Sequence, residues 1–106
     1  MIGHVVMWRV SADLPNKNES IKTIVDALNS LPGKVPQIRH FEVGAPDISG
    51  SPAGFDIVLY SRFDSSEALE AYRVHPAHQI VAELINGLVS ERAVVDYQLD
   101  NPQGWK

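Results

Sequence analysis

The segment Tyr72-Arg73-Val74-His75-Pro76-Ala77-His78 sets a phenol and two imidazoles close together on either side of a proline. An imidazole titrates near ~6.5 and can both take and give a proton at neutral pH. A positioned acid or base contributes ~10²- to 10⁴-fold to a reaction rate. Tyr72 and His78 are therefore the candidate catalytic pair, for proton transfer on a small organic molecule with no cofactor. His4 joins them if it points from the first strand toward the helices, and His75 is a further candidate for a substrate contact. Whether Tyr72 and His78 converge depends on the angle at the proline. The competing reading is structural: Tyr72 as a core aromatic, His75 as a helix cap, and His4 as a half-exposed residue at a strand start. A metal site is not expected, because Pro76 disturbs the His75–His78 spacing and no spacing supports Asp96 or Glu70 as a third ligand. Met7 and Trp8 read first as core residues, and no phosphate loop, nucleophile elbow or HExxH pattern occurs.

These side chains need elements to position them. Asp64 as a cap, Glu67 three residues on, and Leu69, Tyr72 and Arg73 at helical spacing predict a helix over Asp64 to Val74. Pro76 pushes His75 out of the helical region and opens a second helix, with Ile80, Val81, Leu84, Ile85 and Leu88 as its apolar stripe. Upstream, His4, Val6, Trp8 and Val10 alternate with Val5, Met7 and Arg9, as in a strand buried on both faces. Asn16 with Glu19 starts a helix along Ile21, Ile24, Val25, Leu28 and Leu31, and Pro32-Gly33 stops it. Strands follow at about Gln37 to Val43, Phe55 to Phe63 and Glu91 to Leu99. Gly44 to Gly54 has the composition of a mobile surface loop, and Asn101 to Lys106 that of a short tail after a domain spanning 1–100.

The order strand, helix, strand, strand, helix, strand is that of an α+β, ferredoxin-like βαββαβ protomer: a four-stranded antiparallel sheet with its helices on one face. The other face would expose Val5, Met7, Val58 and Tyr60, joined by Phe41 or Val94. An identical sheet from a second chain would cover it, so a homodimer through the sheet face is expected. With 106 residues, 44% hydrophobic, the chain builds one ordinary core. A net charge of −4 argues against nucleic acid, and the lack of cysteine excludes disulfides and thiolate metal sites. No apolar run approaches the ~20 residues that span a bilayer, and Met1 to Val10 does not resemble a signal peptide. A cytoplasmic protein without membrane contact is expected.

His4, Gly54-Phe55-Asp56, Phe63-Asp64-Ser65, Tyr72 with His75-Pro76-Ala77-His78, and Val95-Asp96-Tyr97 together resemble the stress-responsive A/B barrel (Dabb) family, over residues 2 to 99. The resemblance implies a ferredoxin-like protomer that dimerises sheet to sheet into an α+β barrel, with a small-molecule pocket between helices and sheet. A plant polyketide cyclase of this family, olivetolic acid cyclase, is similar at its catalytic tyrosine and histidine, which fall on Tyr72 and His78. A pocket histidine of that enzyme falls on His4 and another on Ile57, which places Ile57, with Trp8, among the candidate substrate contacts. In that chemistry a base removes a proton next to a carbonyl and the pair stabilises the enolate during aldol closure. Family members without an established reaction leave open a non-catalytic stress-responsive dimer, and the related antibiotic-biosynthesis monooxygenase barrels leave open an oxygenase.

Overall fold

The computed structural model describes residues 1–46 and 54–99. Most of the expected loop and the whole of the expected tail lie outside them. The elements run β1 (Ile2–Val10), α1 (Lys17–Asn29), β2 (His40–Gly44), β3 (Ile57–Phe63), α2 (Ser66–Val74), α3 (Pro76–Asn86) and β4 (Val89–Gln98). The strands form one antiparallel sheet in the order β2-β3-β1-β4, so the first and third strands are central. This is the ferredoxin-like fold.

Directly opposed residues share a face of the sheet. Val6 stands beside Leu59 and Val94, and Trp8 beside Ile57 and Arg92. Their side of the sheet meets Ile24, Leu28, Leu69, Tyr72, Val81 and Ile85 from the helices in one continuous core. Ile24, Leu28 and Leu31 are each at most 2% exposed; burying one such side chain stabilises the fold by ~1.5–3 kcal/mol. The outer side carries Val5, Met7, Val58 and Tyr60, as the alternation predicts.

Register changes the rest of that outer face. Phe41 lies opposite Ser61, and Val94 opposite Val6, so both belong to the helix side. Their places outside are taken by Ala93, Val95 and Tyr97, which oppose Met7, Val5 and Gly3. Tyr97 lies so close over Gly3 that a Cβ there would stand 2.8 Å from its Cζ. A side chain at position 3 would displace the ring.

Element ends follow local hydrogen bonding. Asn16 caps α1 as expected, its Oδ1 accepting from the Glu19 N–H at 3.1 Å. The α2 cap is Ser65, which accepts from the Ala68 N–H at 3.1 Å, rather than Asp64. Asp64 is occupied by Arg39, at 2.9 Å. The third strand starts at Ile57 rather than Phe55 because Asp56 turns its carboxylate back to accept from the Val10 N–H, at 2.8 Å. The second strand starts at His40, three residues later than expected. On α3 only Val81 and Ile85 of the apolar stripe are buried; Ile80 and Leu84 are 71% and 42% exposed.

Candidate functional site

The proline break brings the chemistry together. His75 has an extended backbone (φ −63°, ψ 135°), which ends α2, and Pro76 occupies the first turn of α3, where a missing N–H costs nothing. His75 Nδ1 accepts from the Ala77 N–H at 3.0 Å. His75 is thus a helix cap, and it does not reach the cavity described below.

Across the break, the last turn of α2 faces the first turn of α3. The rings of Tyr72 and His78 lie 4.5 Å apart at 54°. His78 Nδ1 is 3.0 Å from the Arg73 carbonyl oxygen. A carbonyl only accepts, so Nδ1 carries the proton and the Nε2 lone pair of the neutral ring is left free as a base.

His4 is 3% exposed, a buried residue rather than a half-exposed one. Its ring meets Tyr72 edge-on at 6.1 Å. The reason it can be buried is Asp96, directly opposite on β4, whose Oδ1 lies 2.5 Å from His4 Nδ1. The other carboxylate oxygen accepts from Arg73, at 2.9 Å. Arg73, Asp96 and His4 therefore form a chain from α2 through β4 to β1, and the carboxylate holds the His4 proton on Nδ1.

A cavity of about 230 Å³ opens between the sheet and the helices at this point. β1 contributes His4, Val6 and Trp8 to its wall, the two helical pieces contribute Tyr72, His78, Val81 and Asn86, and β4 contributes Arg92. Ile57 is 2% exposed and packs in the core outside this wall.

Protonation follows from burial. Desolvation lowers the His78 pKa, opposed by its bond to the Arg73 carbonyl. Desolvation likewise lowers that of His4, against the smaller upward pull of Asp96. Both imidazoles are thus neutral at pH 7. Burial pushes the Tyr72 phenol above its ordinary value, so it stays protonated. Its hydroxyl has no hydrogen-bond partner among the described residues. At neutral pH the cavity offers one phenol donor and two imidazole bases. No group of three His, Asp or Glu side chains among the described residues is arranged to hold a metal ion.

Two members of the site escaped the sequence reading. Asp96 was weighed only as an unsupported metal ligand and as part of the closing strand, not as a partner of His4, and Arg92 was unremarked. Alternation along β4 puts Arg92, Val94 and Asp96 on one face, but only the pairing with β1 shows that this face covers the cavity.

The family model for the Stress responsive A/B Barrel Domain matches residues 2–99. An uncharacterized protein of Streptomyces coelicolor is 32% identical over 74% of this chain and 80% of its own. A stress-response A/B barrel domain-containing protein of Arabidopsis thaliana is 28% identical over 98% of this chain, which spans 39% of that longer protein. Among solved structures, a dimeric protein of unknown function and ferredoxin-like fold from Bacteroides fragilis superposes with a TM-score of 0.81 at 30% identity, covering 92% of this chain and 95% of that one. The hydroxynitrile lyase of Passiflora edulis superposes at 0.79 with 19% identity, covering 94% of each chain. A putative antibiotic biosynthesis monooxygenase from Nitrosomonas europaea gives 0.73 at 18% identity, covering 94% of this chain and 99% of that one. The last two likenesses are of fold. Among the described residues no helix is long and apolar enough to cross a membrane.

Proposed function

This chain belongs to the stress responsive A/B barrel domain family, and from that premise we propose that its cavity binds a small organic carbonyl compound and moves protons on it without a cofactor. His78 Nε2 removes a proton from the carbon next to the carbonyl. The Tyr72 O–H donates a hydrogen bond to the enolate oxygen that results. The enolate carbon then attacks a second carbonyl of the same molecule, and the proton held by His78 passes to the new alkoxide. Run in reverse, the same steps break a carbon–carbon bond, which is lyase chemistry. His4, oriented by Asp96, is a polar substrate contact, and Trp8 is part of the apolar wall.

The observation that carries this reading is the 4.5 Å contact of Tyr72 and His78 within the cavity, with the His78 Nδ1 proton committed to Arg73. Polyketide cyclase-like closure fits the residues at Tyr72, His78 and His4. Ile57 stands where that chemistry would add another histidine, and about 230 Å³ suits a body of roughly one ring, since a cavity of ~150 Å³ already holds benzene. A substrate smaller than a long-chain polyketide is therefore favoured. The protein works as a homodimer in this reading, the outer face of the sheet meeting its copy, in keeping with the dimeric Bacteroides fragilis neighbour. A cytoplasmic location accords with the absence of cysteine.

The test is exchange of the proton next to the carbonyl in simple aryl ketones, followed by NMR in deuterated buffer. The wild-type protein accelerates exchange, and Tyr72→Phe and His78→Asn each remove the acceleration. Equal exchange with and without protein across a panel of one-ring ketones would end the proposal. A second reading has its own support: His75 and His78 both bond backbone groups at the break. In that reading they lock the helix junction of a non-catalytic dimer, and their removal lowers the melting temperature with no ligand effect. An oxygenase has no comparable observation in its favour.

A further inference from the structure

We infer that the ligand of this cavity is an organic anion, a carboxylate on a one-ring or short-chain body, and that Arg92 is the group that holds it. The inference rests on the small-molecule reading of the same cavity and names the class of ligand.

The wall contains no aspartate or glutamate. Its histidines and tyrosine are uncharged at neutral pH, so Arg92 is the single formal charge among the lining residues. That charge is also unspent, since no ion pair joins Arg92 to a carboxylate among the described residues. The acidic side chains on its own strand are taken: Glu91 pairs with Arg9 at 2.5 Å, and Asp96 is shared by Arg73 and His4. A guanidinium presents a planar fork of donors that matches a carboxylate in bidentate geometry. The Asn86 side chain adds an amide to the wall.

The geometry sets the ligand's length as well as its charge. Arg92 lies opposite Trp8, and Asp96 lies opposite His4, on the same face of β4. Four residues of strand separate the two by ~13 Å of backbone. The cavity volume of about 230 Å³ limits the body between Arg92 and the polar end to about one ring. A carboxylate bound at Arg92 thus presents the far end of its ring or chain to Tyr72 and His78. The apolar middle of the ligand would lie along Val6, Trp8 and Val81.

The experiment is a calorimetric titration of the intact protein at pH 7.5 with phenylacetate and 3-phenylpropionate, and with their neutral primary amides. Each acid is expected to bind at least ten times more tightly than its amide, with a preference that shrinks as salt rises. Arg92→Met abolishes the preference and Arg92→Lys retains part of it, with melting temperatures reported alongside. If either variant fails to fold, the salt dependence of the wild-type preference decides. Amides bound as tightly as acids would overturn the inference and leave the cavity reading standing. An acid preference that survives in Arg92→Met would overturn the assignment to Arg92. Failure of every acid and amide to shift the His4 and His78 ring resonances would overturn both readings.

Discussion

Replacing Tyr72 by phenylalanine separates function from architecture more sharply than any other single change. The ring is 1% exposed and packs on Phe63 and His78, at 4.9 and 4.5 Å between centroids. Phenylalanine keeps those contacts. The hydroxyl has no hydrogen-bond partner among the described residues, so its removal breaks no internal bond and leaves no partner unsatisfied, and the stability change stays within ~0.5 kcal/mol. At ~4–8 °C per kcal/mol for a domain of this size, the melting temperature moves by less than about 4 °C. Proton exchange on a bound ketone, in contrast, should fall by ~10²-fold or more, because the enolate loses its donor. His78→Asn is the companion, since an asparagine N–H can still reach toward the Arg73 carbonyl. His78→Ala would forfeit that bond, worth ~1 kcal/mol, and ring packing of ~0.5–1.5 kcal/mol. Thermal melts and NMR exchange on the same preparations decide. A Tyr72→Phe protein that melts more than 8 °C lower with unchanged exchange, an outcome of ~1–2 kcal/mol, would refute the reasoning, for the hydroxyl would then be a structural group.

Further predictions concern pH, the buried network and the outer face. His4 and His78 have folded pKa values below the unfolded value, so between the two the unfolded chain binds more protons; stability is full above pH ~6.5 and is lost as pH falls below it. Buried His4 carries most of this loss and half-buried His78 a smaller part, each contributing less than the ~1.4 kcal/mol per pH unit of one full proton, and a melting temperature that is flat from pH 7.5 to 5.5 would contradict it. Asp96→Asn removes the upward pull on His4, so the His4 titration followed by NMR moves to lower pH, and stability drops by ~1.5 kcal/mol, the low end for a charged hydrogen bond because the carboxylate is partly exposed. An unmoved His4 titration would show that the carboxylate does not set it. Val95→Asp puts a charge on the outer sheet face, where Val95 is 59% exposed, and sedimentation should show the proposed homodimer converted to monomer; a dimer that persists must use another surface. Gly3→Ala pushes the Tyr97 ring away at a cost of ~1 kcal/mol, and it should weaken the same association, because Gly3 and Tyr97 share that face.

Periodicity along the chain is a local property, which is why the elements were legible. Alternation over His4 to Val10 and over Ile57 to Phe63, the 3.6-residue recurrence from Ile21 to Leu31, and the proline after His75 each depend on neighbours a few residues away. Caps were less so: Ser65 and Asp64 are both good caps, and the choice fell to Arg39, which reaches Asp64 across the fold. Strand faces were legible where each strand was taken alone and failed where two had to be registered, as with Phe41 and Val94. The apolar stripe of α3 was too wide because nothing in its sequence says how much of it the sheet can cover.

The candidate site divides along the same line. From residue types alone came Tyr72, His78 and His4 as the groups able to move a proton, together with a break in the helix between the first two. Only the packed chain brought Asp96 opposite His4, set Arg92 beside Trp8 and left a cavity among them. Those are contacts between residues more than 80 positions apart, or angles between two helices. Antiparallel register and helix docking create such relations, and no local pattern of amino acids records them.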